Sequence, residues 1–216
     1  MSNQEIKHYY DATTDREIRS DLGYAVNMAP EPRVAIDCGC GAGADIEFLL
    51  ASGFRVYAFD IEAEAISRCE ERFKDHPEVI LSRAGFGTYQ FPQASLVVAD
   101  ASLFFCPGAE FVSVWNNIYE SLDSDGVFCG SFLGPEDTMA APDYDATAFW
   151  PATCVFAEDE VRELFNGYQI YRFTEHKSSG TTAQGVAHDW HIFSVVAKKR
   201  RLRKLWPTDT STLRGN

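Results

Sequence analysis

The chain has 216 residues, 45% hydrophobic and 24% charged, which suits one folded domain and excludes a disordered chain. Its formal net charge of −13 repels a phosphate backbone and disfavours nucleic acid as a partner. No apolar run approaches the ~18 residues of a membrane span, and the opening MSNQEIKHYYDATTDREIR lacks the apolar core of a secretory leader; a soluble, cytoplasmic protein without membrane contact is expected.

Residues 1–29 are polar with scattered aromatics (Tyr9, Tyr10, Tyr24) and are predicted to form a helical lead-in. MAPEP punctuates the chain before residues 30–197, the main domain. Val34-Ala35-Ile36 reads as a buried strand that stops at Asp37. DCGCGAG follows as a turn, residues 45–50 as a helix, and Gly53 as its stop. A second strand, 55–59, ends at Asp60. Residues 62–73 have helical spacing, with Ala65, Ile66, Cys69 and Phe73 on one face. Strands at 79–81 and 96–99 follow, the latter ending at Asp100. A helix over 111–122 carries Trp115 and Tyr119 on its apolar face, and a fifth strand covers 126–132. After a helix at 157–165, two strands (168–173 and 190–196) flank a Ser-, Gly- and Thr-rich loop at 178–185. Alternating strands and helices predict an α/β fold: a parallel sheet with helices on both faces and an antiparallel ending. Residues 198–216 read as a basic tail, whose KKRRLRK is a solvated segment or a nucleic-acid arm.

The six cysteines lie mostly in apolar runs, without a CxxC pair, and are read as free thiols. Cys38 and Cys40 are small residues of a glycine turn rather than metal ligands, and no metal site is expected.

In open parallel sheets ligands bind beyond the carboxyl ends of the strands, where Asp37, Asp60 and Asp100 fall. Gly39-Cys40-Gly41-Ala42-Gly43 between the first two suits close approach of a ligand to the backbone. The spacing Gly39-x-Gly41-x-x-Ala44 with Asp60 also fits a dinucleotide fingerprint. Asp37, however, puts negative charge where a pyrophosphate would sit, and suits a ligand carrying an ammonium and a sulfonium. S-adenosylmethionine is such a ligand. Each strand-end aspartate also has a plain reading as a turn or helix cap.

The stretch AIDCGCGAGADIEFLLASGFRVYAFDIEAEAISRCEERF resembles the first two motifs of the class I S-adenosylmethionine-dependent methyltransferases. ADASLFFCPGAEFVSVWNNIYESLDSDGVFCGSFLG and the late WHIFSVVAKK are similar to a tellurite-resistance-type, small-molecule branch. The resemblance covers roughly residues 30–200. It implies a Rossmann-like, doubly wound, seven-stranded, mostly parallel sheet with an antiparallel last strand. It further implies that S-adenosylmethionine is the cofactor and S-adenosylhomocysteine the product. Asp37, Gly39, Cys40, Gly41 and Gly43 would line the methionine and ribose side, and Asp60 would bind the ribose hydroxyls. Ile61, Gly85 and Phe86 would meet the adenine, although no acid follows the third strand to take its amine. Asp100, Ala101, Ser102 and Leu103 would face the sulfonium and the acceptor. Arg16 and Arg19 either reach the cofactor carboxylate or lie on a solvated helix face.

A methyl acceptor that is already a strong nucleophile needs no base, whereas an oxygen nucleophile does. Asp100, His188 and His191 are the candidates, with His191 and Asp100 taken as catalytic. The two histidines are three apart, which suits opposite strand faces and not a metal pair. Tyr9, Tyr10, Phe104, Phe149, Trp150 and Trp190 either wall an acceptor pocket or pack beneath loops. The expected partner is a small-molecule methyl acceptor. The alternatives left open are a non-catalytic cofactor-binding regulator, a nicotinamide oxidoreductase and an RNA methyltransferase using the basic tail.

Overall fold

The computed structural model describes residues 3–144, 153–182 and 185–201. Seven strands form one sheet: β1 (Val34–Cys38), β2 (Arg55–Asp60), β3 (Val79–Arg83), β4 (Ala94–Ala99), β5 (Leu122–Leu133), β6 (Tyr168–Thr181) and β7 (Ala187–Lys199). Their order is β3-β2-β1-β4-β5-β7-β6, and β7 alone runs antiparallel to its neighbours. The expected Rossmann-like sheet is present.

The helices are α1 (Asn3–Thr13), α2 (Ser20–Met28), α3 (Ala44–Ala51), α4 (Ala63–Arg72), α5 (Gly108–Ser121) and α6 (Glu158–Leu164). Side chains alternate along each strand, so the central strands are apolar on both faces. Ala35, Val56, Ala58, Leu96, Val98 and Cys129 pack under α2, α3 and α4. Ile36, Phe59, Val97, Phe128 and Phe132 pack under α5 and α6, around Trp115. The Trp115 indole N–H donates to the Leu164 carbonyl at 3.1 Å, so its one polar atom is satisfied within the core.

Three expectations need correction. The lead-in is two helices, not one. Helix α1 ends at Thr13, and the Thr13 and Thr14 hydroxyls bond back to the carbonyls of Tyr9 and Tyr10. The chain then leaves helical geometry, and Arg16 and Arg19 turn toward carboxylates of the main body. Residues 178–181 of the predicted loop belong to a strand instead, because β6 and β7 pair as far as Thr181 and Ala187. The pairs from Lys177↔His191 outward lie past the last β5 residue, Leu133, where the exposed strand positions favour polar residues. The basic segment begins inside the sheet: β7 runs through Lys199, whose ammonium donates to the carbonyls of Tyr119 and Leu122 at 2.6 and 2.7 Å. The remainder of the tail from residue 202, and Phe149 and Trp150, lie outside the described residues.

Candidate active site

Strand β1 lies between β2 and β4, so the chain order reverses there and a crevice opens at the carboxyl ends of these strands. Gly39, Gly41 and Gly43 have φ of 73°, 53° and 85°, which side-chain-bearing residues adopt at a cost. A Cβ on Gly39 would stand 2.7 Å from the Ser102 Cβ, because the turn after β4 presses against the turn after β1. The Ser102 hydroxyl donates to the Cys38 carbonyl at 2.5 Å and seals that contact. Ala101 is held at φ 49° while its N–H donates to the Ser131 hydroxyl at 2.8 Å. The two turns named from sequence are thus brought together.

Strand parity aims Asp37 toward the α2–α3 side, since it alternates with Ile36 and Cys38 of the opposite layer. Asp37 is buried, and its Oδ2 has no partner. Burial pushes its carboxyl well above the ordinary carboxylate range, and the nearby Asp45 adds to the shift. Asp45 sits in the first turn of α3, also buried, with Oδ1 unpartnered. Burial raises Asp45, while Arg16 opposes the rise through a 2.5 Å ion pair to Oδ2. Sequence reasoning missed Asp45. The available signal was an acid directly after the glycine turn, which reads as ordinary helix-start charge.

Asp60 ends β2, where the Gly41 N–H donates to Oδ2 at 3.0 Å and the Glu62 N–H to Oδ1 at 2.9 Å. Burial raises its pKa and these backbone donors lower it. The capping role is therefore real, and each oxygen keeps a lone pair for a ligand. Ile61 beside it is 62% exposed, unusual for a large apolar side chain next to a crevice. A Cβ on Gly85 would lie 3.5 Å from the Ile61 Cδ1, so Gly85 and Ile61 flank one another. Phe86 packs edge-on against Phe59 at 5.3 Å and belongs partly to the core.

The N-terminal segment lies over this crevice. Tyr10 is buried with Ala42 and Ala65, and a Cβ on Gly41 would meet its ring at 3.7 Å. Burial and the Asp60 charge raise the Tyr9 and Tyr10 hydroxyls. Arg19 pairs with Asp100 at 2.8 Å. Neither Arg16 nor Arg19 lies on a free helix face; both reach carboxylates at the carboxyl edge of the sheet.

His191 is also buried, but both ring nitrogens are engaged. Nδ1 accepts the Glu136 N–H at 3.0 Å, and Nε2 bonds Glu175 at 2.9 Å. With its lone pair spent on a backbone donor, His191 is placed as a framework residue rather than a base; the sequence showed the residue but not these distant partners. Leu103 and Phe104 are buried in the 3-10 turn after β4. A groove lined by Arg33, Arg55, Phe73 and His76 opens at the amino ends of the strands, away from these carboxylates.

Residues 35–126 match the family model described as "Methyltransferase domain". No curated protein matches the chain. TehB from Haemophilus influenzae shares the fold with a TM-score of 0.67 at 17% identity over 85% of this chain, which spans 63% of TehB. A Burkholderia thailandensis 1,6-didemethyltoxoflavin-N1-methyltransferase, solved with 1,6-didemethyltoxoflavin and S-adenosylhomocysteine, gives 0.66 at 18% identity, covering 92% of this chain and 86% of that one. The N-methyltransferase NodS from Bradyrhizobium japonicum, solved with S-adenosylhomocysteine, gives 0.63 at 16%, covering 92% and 98%. Residues 35–126, a little under half of the chain, thus match a methyltransferase domain, and the chain shares the fold of these methyltransferases. The residues present fit S-adenosylmethionine: two buried carboxylate oxygens without partners suit a cationic amino-acid end, and Gly39, Gly41 and Gly43 leave the turn's backbone bare of side chains.

Proposed function

We propose that this protein moves a methyl group from S-adenosylmethionine to a small-molecule nucleophile by direct displacement. The observation carrying this reading is the pair of unpartnered oxygens, Asp37 Oδ2 and Asp45 Oδ1, buried beside the glycine turn. A diphosphate there would meet two carboxylates, whereas an ammonium finds two acceptors. Asp37 and Asp45 hold the ammonium, Asp60 accepts from the ribose hydroxyls, and Ile61 with Gly85 and Phe86 borders the adenine. Gly39, Cys40, Gly41 and Gly43 supply the backbone surface beneath. Arg16 and Arg19 neutralise the cofactor carboxylate, each already standing at the crevice on a carboxylate partner.

Bound cofactor supplies a methyl carbon activated by its positive sulfur. The protein's own task is to align the acceptor and exclude water. Asp100, Ala101 and Leu103 form the edge nearest that reaction, and Tyr9 and Tyr10 cover it. Small-molecule acceptors are supported by the 1,6-didemethyltoxoflavin bound in the Burkholderia enzyme. The free thiols suit a reducing, cytoplasmic compartment.

Calorimetry with S-adenosylmethionine, S-adenosylhomocysteine and NAD tests the reading. Micromolar binding of the first two and none of NAD is expected, with Asp60→Ala weakening both at least 10-fold while remaining folded. Tight NAD binding without S-adenosylmethionine binding overturns it.

A further inference from the structure

A second constellation at the carboxyl edge of the sheet has no part in the cofactor contacts above. Asp137, in the turn after β5, has a fully buried side chain. Its Oδ1 accepts the Met139 N–H at 2.9 Å and lies 3.0 Å from His188 Nε2. Its Oδ2 accepts the His191 N–H at 3.0 Å. Two backbone donors thus fix this carboxylate, and the carboxylate fixes the tautomer of His188 with Nε2 protonated. The His188 side chain is only 9% exposed and lies 4.8 Å from the Trp190 ring. Its Nδ1, the lone-pair nitrogen of that tautomer, has no bonding partner among the described residues. Glu136, Glu175 and Lys177 gather on the His191 side instead; Asp137 is the charged group bonded to His188.

Strand alternation decides which histidine can see the reaction. His188 shares parity with Ser194, which lines a small cavity with Asp100 and Arg19. His191 shares parity with Phe193 and Val195 and faces the α5–α6 layer. The His188 ring leans back along β7, because one carboxylate holds both it and the His191 amide. Ser194 pairs with Ser131, the residue that holds Ala101. The carboxylate therefore stands roughly 10 Å of strand beyond the Ala101 turn, by the ~3.3 Å rise per residue, in line with the end of β5.

We infer that His188, positioned by Asp137, is the general base of this domain, and that its acceptors carry a weakly acidic O–H or heteroaromatic N–H rather than a preformed thiolate or chalcogenide. This rests on the methyltransferase reading above. As the acceptor atom bonds to the methyl carbon, the carbon–sulfur bond breaks and its electron pair stays on sulfur. The acceptor's proton passes to His188 Nδ1 and then to solvent. The resulting imidazolium is stabilised by Asp137.

The test separates this inference from that reading. Wild type, His188→Gln and Asp137→Asn are compared for S-adenosylhomocysteine binding by calorimetry, and for methylation of catechol, 4-hydroxyquinoline, benzimidazole and thiophenol across pH. Glutamine can still donate to Asp137 but cannot take the proton. Expected are unchanged cofactor affinity within threefold and a 10²–10⁴-fold loss of kcat on an O–H or N–H probe in His188→Gln. The acidic limb of the wild-type kcat profile disappears in that variant, and Asp137→Asn moves it to lower pH. Four results overturn the inference: His188→Gln with wild-type kcat and pH profile; methylation of thiophenol alone; no methylation of any probe by cofactor-loaded wild type; or loss of cofactor affinity in parallel with kcat. Failure of wild type to bind the cofactor instead sinks the methyltransferase reading itself.

Discussion

Asp37 shows how one buried group links fold and ligand. Its ionised form lacks a partner for Oδ2, and its pKa lies well above the ordinary ~3.9, chiefly through burial. A raised acid in the folded state contributes stability that is fully present below the unfolded pKa and is lost as pH rises through the folded value. The ligand-free protein should therefore lose thermal stability as pH climbs across that window, and a cationic ligand should restore it. Binding that ligand favours the carboxylate, so S-adenosylmethionine affinity should rise with pH until Asp37 is ionised without it. Calorimetry in buffers of different ionisation enthalpy should record proton release on binding below that point. Asp37→Asn should abolish the release and weaken binding ~10- to 100-fold, following the ~1.5–3 kcal/mol of a charged hydrogen bond.

At the scale of elements, the turns after β1 and β4 act as one unit. Gly39→Ala would bring a Cβ within 2.7 Å of Ser102 at a left-handed φ of 73°. The left-handed backbone alone costs a side-chain-bearing residue ~1–2 kcal/mol, and the clash adds to it. A thermal melt should show the loss, and cofactor affinity should fall further than stability alone explains, because the turn that moves is the one proposed to cradle the ligand. The sequence spoke clearly about this region. Strand, acid, glycine turn, helix and second acid are contiguous, so their chemistry is written locally. Contacts assembled from afar were silent. Arg16 and Arg19 look like any basic pair on a polar helix until they meet Asp45 and Asp100, 29 and 81 residues away. Asp137 lies in an unremarkable turn until His188 arrives from 51 residues downstream. The hairpin was misread because its outer part has a loop's composition and draws its order from backbone pairing and from side chains of the turn after β5.

Across the whole molecule, the two apolar layers make the sheet a stiff platform and leave variation to what rises from its carboxyl edge. Helix α2 joins that platform through Leu22, Ala25 and Val26. Helix α1 is attached differently. Beyond Tyr10 and its few apolar neighbours, it is tied to α4 by charge: Arg68 to Asp11 at 2.7 Å and to the Lys7 carbonyl at 3.4 Å, with Arg72 on the Thr14 carbonyl at 3.1 Å just beyond the helix. Asp11 is well exposed, and such attractions fade as the Debye length shrinks from ~10 Å at 0.1 M to ~3 Å at 1 M. The cover over the crevice should therefore respond to ionic strength where the platform does not. Stopped-flow displacement of S-adenosylhomocysteine should quicken with added sodium chloride while the melting temperature of the sheet holds. An equal salt response of both would place α1 within the rigid body. Where the cover alone responds, electrolyte acts as a throttle on product escape, and turnover limited by that escape would run faster in brine than in dilute buffer.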